Sequence, residues 1–139
     1  MALTWTQQLS VGNATFDFEH QNLIGIVNSI EYAIETRDSA ALLRAFKLLV
    51  NYVHAHFTNE EKFAQVTNIP FDQHKLSHQH LQKELQHTVD ELEASGVWAE
   101  YVIEHYPQFL KEWLIEHITK EDMLIKPVLQ TYPYDFKPG

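Results

Sequence analysis

The sequence has no cysteine, and only four glycines and five prolines in 139 residues. Without cysteine, neither a disulfide framework nor a thiolate metal site can form. Basic side chains are also scarce: ten Lys and Arg against nineteen Asp and Glu leave a net charge of −9. That balance argues against phosphate backbones and anionic lipid surfaces, so neither nucleic acid nor a membrane is expected as a partner. No apolar run approaches the roughly 18 residues of a membrane span, and the polar N-terminus lacks the apolar core of a signal peptide. A soluble, cytoplasmic protein is expected. Repeats, low-complexity tracts and linkers are missing too, which predicts one domain over residues 1–139. With 45% hydrophobic and 12% aromatic residues, the chain can bury a substantial core.

What the chain has in abundance is histidine, nine in all. Histidine is the commonest metal ligand and also titrates near neutrality, so position must separate its uses. Residues 1–15 show little periodicity and read as an irregular arm, with Trp5 and Val11 as packing points. From Asp17 onward, apolar residues recur every three or four positions, which predicts helices over roughly 17–36, 39–67, 71–94 and 107–130. Asp38 or Ser39 suits the cap of the second helix, and Pro70 ends it by forcing the preceding residue out of helical space. Gly96 is a natural stop for the third helix, residues 97–105 are ambiguous, and Pro107 fits the first turn of the fourth. The tail from Thr131 reads as a loose end or a packed irregular arm. The short connections predict an all-α, antiparallel up-down-up-down four-helix bundle behind the N-terminal arm. No long apolar stripe remains exposed once the bundle closes, so a monomer is expected.

Six polar residues interrupt the apolar stripes: His20, His56, Glu60, His74, His78 and His117. Each would cost several kcal/mol if buried without a partner, against a whole-domain stability of roughly 5–15 kcal/mol. A metal inside the bundle satisfies all of them. The His74/His78 and His56/Glu60 pairs are weak signals singly. Their spacing of four nevertheless lets both members of a pair reach one site, and all four helices bring a ligand-type residue to the inner face. His54, His80, His87 and His105 sit off or beside the stripes and belong on solvated faces. Asp122 is harder to place. It follows His117 by five residues, about 140° away around an ideal α-helix. A π-bulge, or a reach around the Ile118/Ile125 edge, would bring it inward; on spacing alone it reads as a surface acid beside Glu121.

From Trp5 to about Leu129 the chain resembles the bacterial hemerythrins, oxygen-binding di-iron four-helix bundles. Four stretches carry the resemblance: Phe16-Asp17-Phe18-Glu19-His20, His56-Phe57-x-x-Glu60-Glu61, His74-Lys75-x-x-His78 and Trp113-Leu114-x-x-His117-Ile118-x-x-x-Asp122. It is the resemblance, and not helical geometry, that makes Asp122 a ligand. It implies one non-haem iron held by His74, His78 and His117 and a second held by His20 and His56. Glu60, Asp122 and an oxo or hydroxo group would bridge the two ions. That set fills all but one of the positions of two octahedral ions. The open position falls on the iron with two histidines, where dioxygen would bind.

The residues matching the family's oxygen-pocket wall are Trp113, Leu114 and Ile118, joined by Leu23, Ile24 and Phe57 from neighbouring helices; as core residues they would serve both purposes. Where the family often has a tyrosine three residues after the bridging aspartate, this chain has Ile125. The function implied is reversible dioxygen binding, for carriage, storage or delivery to an oxygen-consuming enzyme. The alternative is a di-iron enzyme, or an oxygen or nitric oxide sensor, using the same site. Ferritin-like oxidases favour carboxylate-rich sites built from Glu-x-x-His, whereas histidine outnumbers carboxylate here, which favours holding oxygen over activating it. Structural zinc prefers closed four-ligand sites, and a sensor would be expected to carry a signalling segment that these residues lack.

Overall fold

A computed structural model describes residues 3–95 and 100–137. Helix α1 runs Ala14–Glu35, α2 Ser39–Thr67, α3 Asp72–Ser95 and α4 Glu100–Glu116. The fourth rod continues through a π turn at His117–Glu121 and a 3-10 turn at Asp122–Leu124 into the short α5, Lys126–Leu129. The fold is an antiparallel up-down-up-down four-helix bundle. Among the described residues there is no strand, and no helix is long and apolar enough to cross a membrane.

Local chemistry sets the helix ends. Asn13 caps α1 by accepting the Phe16 N–H, so the helix starts three residues before the periodicity signals it. Asp17 does not point to water. It is buried and accepts from the Ser10 hydroxyl at 2.5 Å, the Val11 N–H at 2.9 Å and the Tyr134 hydroxyl at 2.9 Å. Asp38 caps α2 through the Ala41 N–H. Asn68, at φ 58°, turns the chain out of α2 in the left-handed conformation that asparagine tolerates.

Pro107 lies inside α4 and not in its first turn. A missing N–H in a helix interior costs about 3 kcal/mol, so the helix must be anchored on both sides of it. Tyr106 provides the anchor before it: it is buried edge-on against Phe46, and its hydroxyl hydrogen-bonds to Thr88. Leu110 provides the anchor after it, buried in the main core. The expected stop at Gly96, and residues 97–99, lie outside the described residues.

The core has two parts. The larger spans Leu23–Ile34 of α1, Leu42–Phe57 of α2, Leu81–Leu92 of α3 and Tyr106–Ile118 of the fourth rod. The smaller contains Val11, Phe16, Phe63, Ile125 and Leu129, with Tyr132 and Phe136 packed on it. The C-terminal tail is therefore a packed arm. Ala14 donates its N–H to Tyr134 O at 2.7 Å, and the Asn13 amide donates to Phe136 O at 2.8 Å. Asn13 thus holds both a helix end and the tail. Asn13→Ala should destabilise the metal-free protein by about 1–2 kcal/mol, at the upper end for a cap. Denaturant unfolding measures this, and a loss of no more than a few tenths would contradict the dual role.

Candidate metal centre

Between the two apolar clusters, each helical rod contributes polar side chains to one interior point. α1 supplies His20, α2 supplies His56 and Glu60, and α3 supplies His74 and His78. The fourth rod supplies His117 and Asp122, and the turn between them is the unusual piece. The Asp122 N–H bonds to the carbonyls of both His117 and Ile118, closing a five-residue π turn. The extra residue rotates Asp122 onto the face of His117, and the residue is 1% exposed. The surface position that α-helical spacing assigns to Asp122 is therefore corrected by the local backbone, at the kind of bulge that gathers at functional sites.

The two carboxylates each face two ways. Glu60 Oε1 lies 2.5 Å from His56 Nε2 and 3.1 Å from His117 Nε2, while Oε2 lies 3.1 Å from His74 Nε2 and 3.7 Å from His78 Nε2. Asp122 Oδ2 lies 2.6 Å from His20 Nε2 and 2.9 Å from His117 Nε2, while Oδ1 lies 3.1 Å from His74 Nε2. Two overlapping donor sets result. One joins His20, His56, Glu60, His117 and Asp122; the other joins Glu60, His74, His78 and His117. Within each set the donor atoms lie within 4.8 Å of one another. Adjacent donors around a first-row ion with bonds near 2.1 Å stand about 3 Å apart, which is the scale of these contacts.

Electrostatics fit the same use. Burial pushes both carboxyls up. For Glu60, repulsion from Asp122 adds to that, but His56 and His117 outweigh both and hold it below its ordinary range. His117, His20 and His56 hold Asp122 well below its own. Both are therefore ionised, as ligation requires. Burial lowers His78 to about 4, which keeps its imidazole neutral. Neither of its ring nitrogens has a hydrogen-bond partner although the residue is 2% exposed, and Phe57 stacks on the ring at 3.5 Å. A neutral imidazole buried without a partner is costly unless a ligand is bound to it. Buried His20 also lacks a partner at Nδ1. This donor chemistry suits a metal pair.

One part of the site was not anticipated. His56 Nδ1 donates to Glu19 Oε1 at 2.8 Å, and the Asn59 amide donates to Glu19 Oε2 at 2.6 Å. A carboxylate on the far nitrogen fixes the ring's orientation and directs the Nε2 lone pair inward. The signal was legible: Glu19 follows Phe16 by three and precedes Leu23 by four, on the edge of the apolar stripe. Glu19→Gln should weaken metal affinity about 10-fold or more, as measured by chelator competition; unchanged affinity would remove Glu19 from the site's support.

Of the expected pocket residues, Leu23, Ile24, Phe57, Leu114 and Ile118 are buried in the larger core cluster. Trp113 is partly exposed and stacks on His117 at 5.1 Å. His54, His80, His87 and His105 are all exposed. Ile125 packs in the smaller cluster with Phe63 and Leu129.

Metal and proton compete for these imidazoles. Burial pulls His74 down, but Asp122 and Glu60 outweigh it and hold it up at about 9. His56 is likewise held well above its usual value, against burial, by Glu60, Asp122 and Glu19. Both shifts favour the protonated imidazole, which must lose its proton to ligate. Anaerobic loading with ferrous iron or zinc in unbuffered solution at pH 7 should therefore release one proton from each. The His74 share should fade as pH rises through about 9. Loading with no proton release would contradict the assignment.

Residues 11–129 match the family described as Hemerythrin HHE cation binding domain. A hemerythrin-like protein of Naegleria gruberi is 30% identical over 126 residues, spanning 90% of this chain and 92% of that protein. A bacteriohemerythrin of Methylococcus capsulatus is 29% identical over 132 residues, covering 91% and 96%. The crystal structure of a hemerythrin mutant superposes with a TM-score of 0.84 at 25% identity, over 93% of this chain and 98% of that one. By sequence profile, relatives and fold together, the chain belongs to the hemerythrin family.

Proposed function

We propose that the chain binds dioxygen reversibly at a non-haem di-iron centre and does so without catalytic turnover, as a monomer. Glu60 and Asp122 would be shared by the two ions, His20 and His56 would hold one, and His74, His78 and His117 would hold the other. Iron held there would supply the reversible electron exchange with dioxygen on which such binding depends. The observation that carries the reading is the pairing of an imidazole-rich donor set with an apolar enclosure. Five histidines stand beside two carboxylates, in contrast to the carboxylate-rich sites of di-iron oxidases.

The chain's own residues divide the work. Glu19 orients His56 through its Nδ1–H. Phe57 stacks on His78, and Trp113 stacks on His117, fixing both rings. Leu23, Ile24, Leu114 and Ile118, all within 5% exposure, form an apolar wall that excludes the water and stray protons on which one-way oxidation depends. Carriage, storage and delivery to an oxygen-consuming enzyme all draw on this one property.

The test is the visible spectrum of the iron-loaded, anaerobically reduced protein before oxygen, after oxygen and after argon purging. A charge-transfer band that appears with oxygen and disappears on purging is expected. Rapid one-way conversion to the ferric form would point instead to an enzyme or a sensor. Leu114→Ala should open the wall to water and speed autoxidation about tenfold, equivalent to about 1.4 kcal/mol of barrier. An unchanged rate would remove Leu114 from the wall.

A further inference from the structure

Six of the seven candidate ligands are sealed: the side chains of His20, His56, Glu60, His78, His117 and Asp122 are 0–2% exposed. His74 differs, at 10%. It forms part of the wall of an open groove of about 860 Å³, bordered also by Ile69, Phe71, Asp72, Ile125 and Val128. Phe71 covers the way in. Its ring stacks on His74 at 4.4 Å and 18°, and meets His78 edge-on at 5.5 Å and 68°. One aromatic ring thus lies over both candidate ligands of α3, His74 and His78.

We propose that this groove is the route by which metal enters and leaves the centre, with the Phe71 ring as its swinging cover. The proposal rests on the two-ion reading above. Phe71 is partly exposed, so its ring can turn on the fast timescale of surface side chains. Its backbone stays in place, because Phe71 O accepts the Lys75 N–H at 2.9 Å and starts α3. Asp72 on the groove wall, in a chain of net charge −9, favours the approach of cations. Among the described residues, the approach at His56 is closed by packing. There Phe16, 1% exposed, packs edge-on against His56, with Phe63, Tyr132 and Phe136 behind it. A path past His56 would have to displace these packed rings. The ion between His74 and His78 therefore exchanges first.

The experiment uses the full chain loaded with zinc and mixed with excess chelator, with metal release followed by a chelator dye. Two phases are expected. Phe71→Ala should speed the first about tenfold, within the range by which residues supporting metal ligands alter metal binding, and Phe71→Leu should fall between it and the wild type. Amide hydrogen exchange of the core should change little in either. Two bound ions with release indifferent to Phe71 would overturn the route alone. So would acceleration that only tracks global unfolding. A chain holding fewer than two zinc ions at the start would overturn the two-ion reading and the route with it.

Discussion

The whole architecture depends on placing five imidazoles and two carboxylates between two apolar clusters, where little but the edge of His74 meets water. Each such group costs several kcal/mol if left unmatched, and the protein matches them to one another. Glu60 and Asp122 each turn one oxygen toward one set of histidines and the other oxygen toward the second. His78 is where mutual matching runs out: it is buried and neutral, with both nitrogens unpartnered by hydrogen bonds. A core that tolerates such a residue is organised around something beyond its own side chains, and a pair of cations meets both the geometry and the charge.

Several features around the centre make sense once that constraint is recognised. The π turn at His117–Glu121 gives up regular helix geometry to bring Asp122 inward. The Asp17 network and the packed tail close the end of the bundle behind Phe16 and Phe63, and so behind His56. Glu19 fixes His56 from outside, at the same carboxylate that Asn59 holds. The larger apolar cluster covers the opposite side with Leu23, Leu114 and Ile118. Exposure is left chiefly at His74, next to a groove.

Much of this was legible in the sequence, for reasons that can be stated. His20, His56, Glu60, His74, His78 and His117 announce themselves because helical periodicity is regular there, and a polar residue on an apolar stripe is conspicuous. Asp122 could not be read that way, since the π turn alters the very period on which the reading relies; only resemblance to a family placed it inside. Pro107 misplaced the start of α4 because local propensity treats proline as a boundary, whereas Tyr106 and Leu110 hold the helix through it by tertiary packing. Asn13 moved the start of α1 because a cap acts through one side-chain bond that leaves no periodic trace. Glu19 was not read as part of the site, since its role depends on a residue in another helix.

In the proposed di-iron reading, Glu60 belongs to both ion positions at once. Iron content per chain after anaerobic reconstitution tests it most directly, comparing wild type with Glu60→Ala and confirming by circular dichroism that the variant remains helical. Two irons are expected in the wild type, with loss of stable loading at both positions in the variant. A variant that keeps two irons, or that loses one and holds the other as tightly as before, would contradict it.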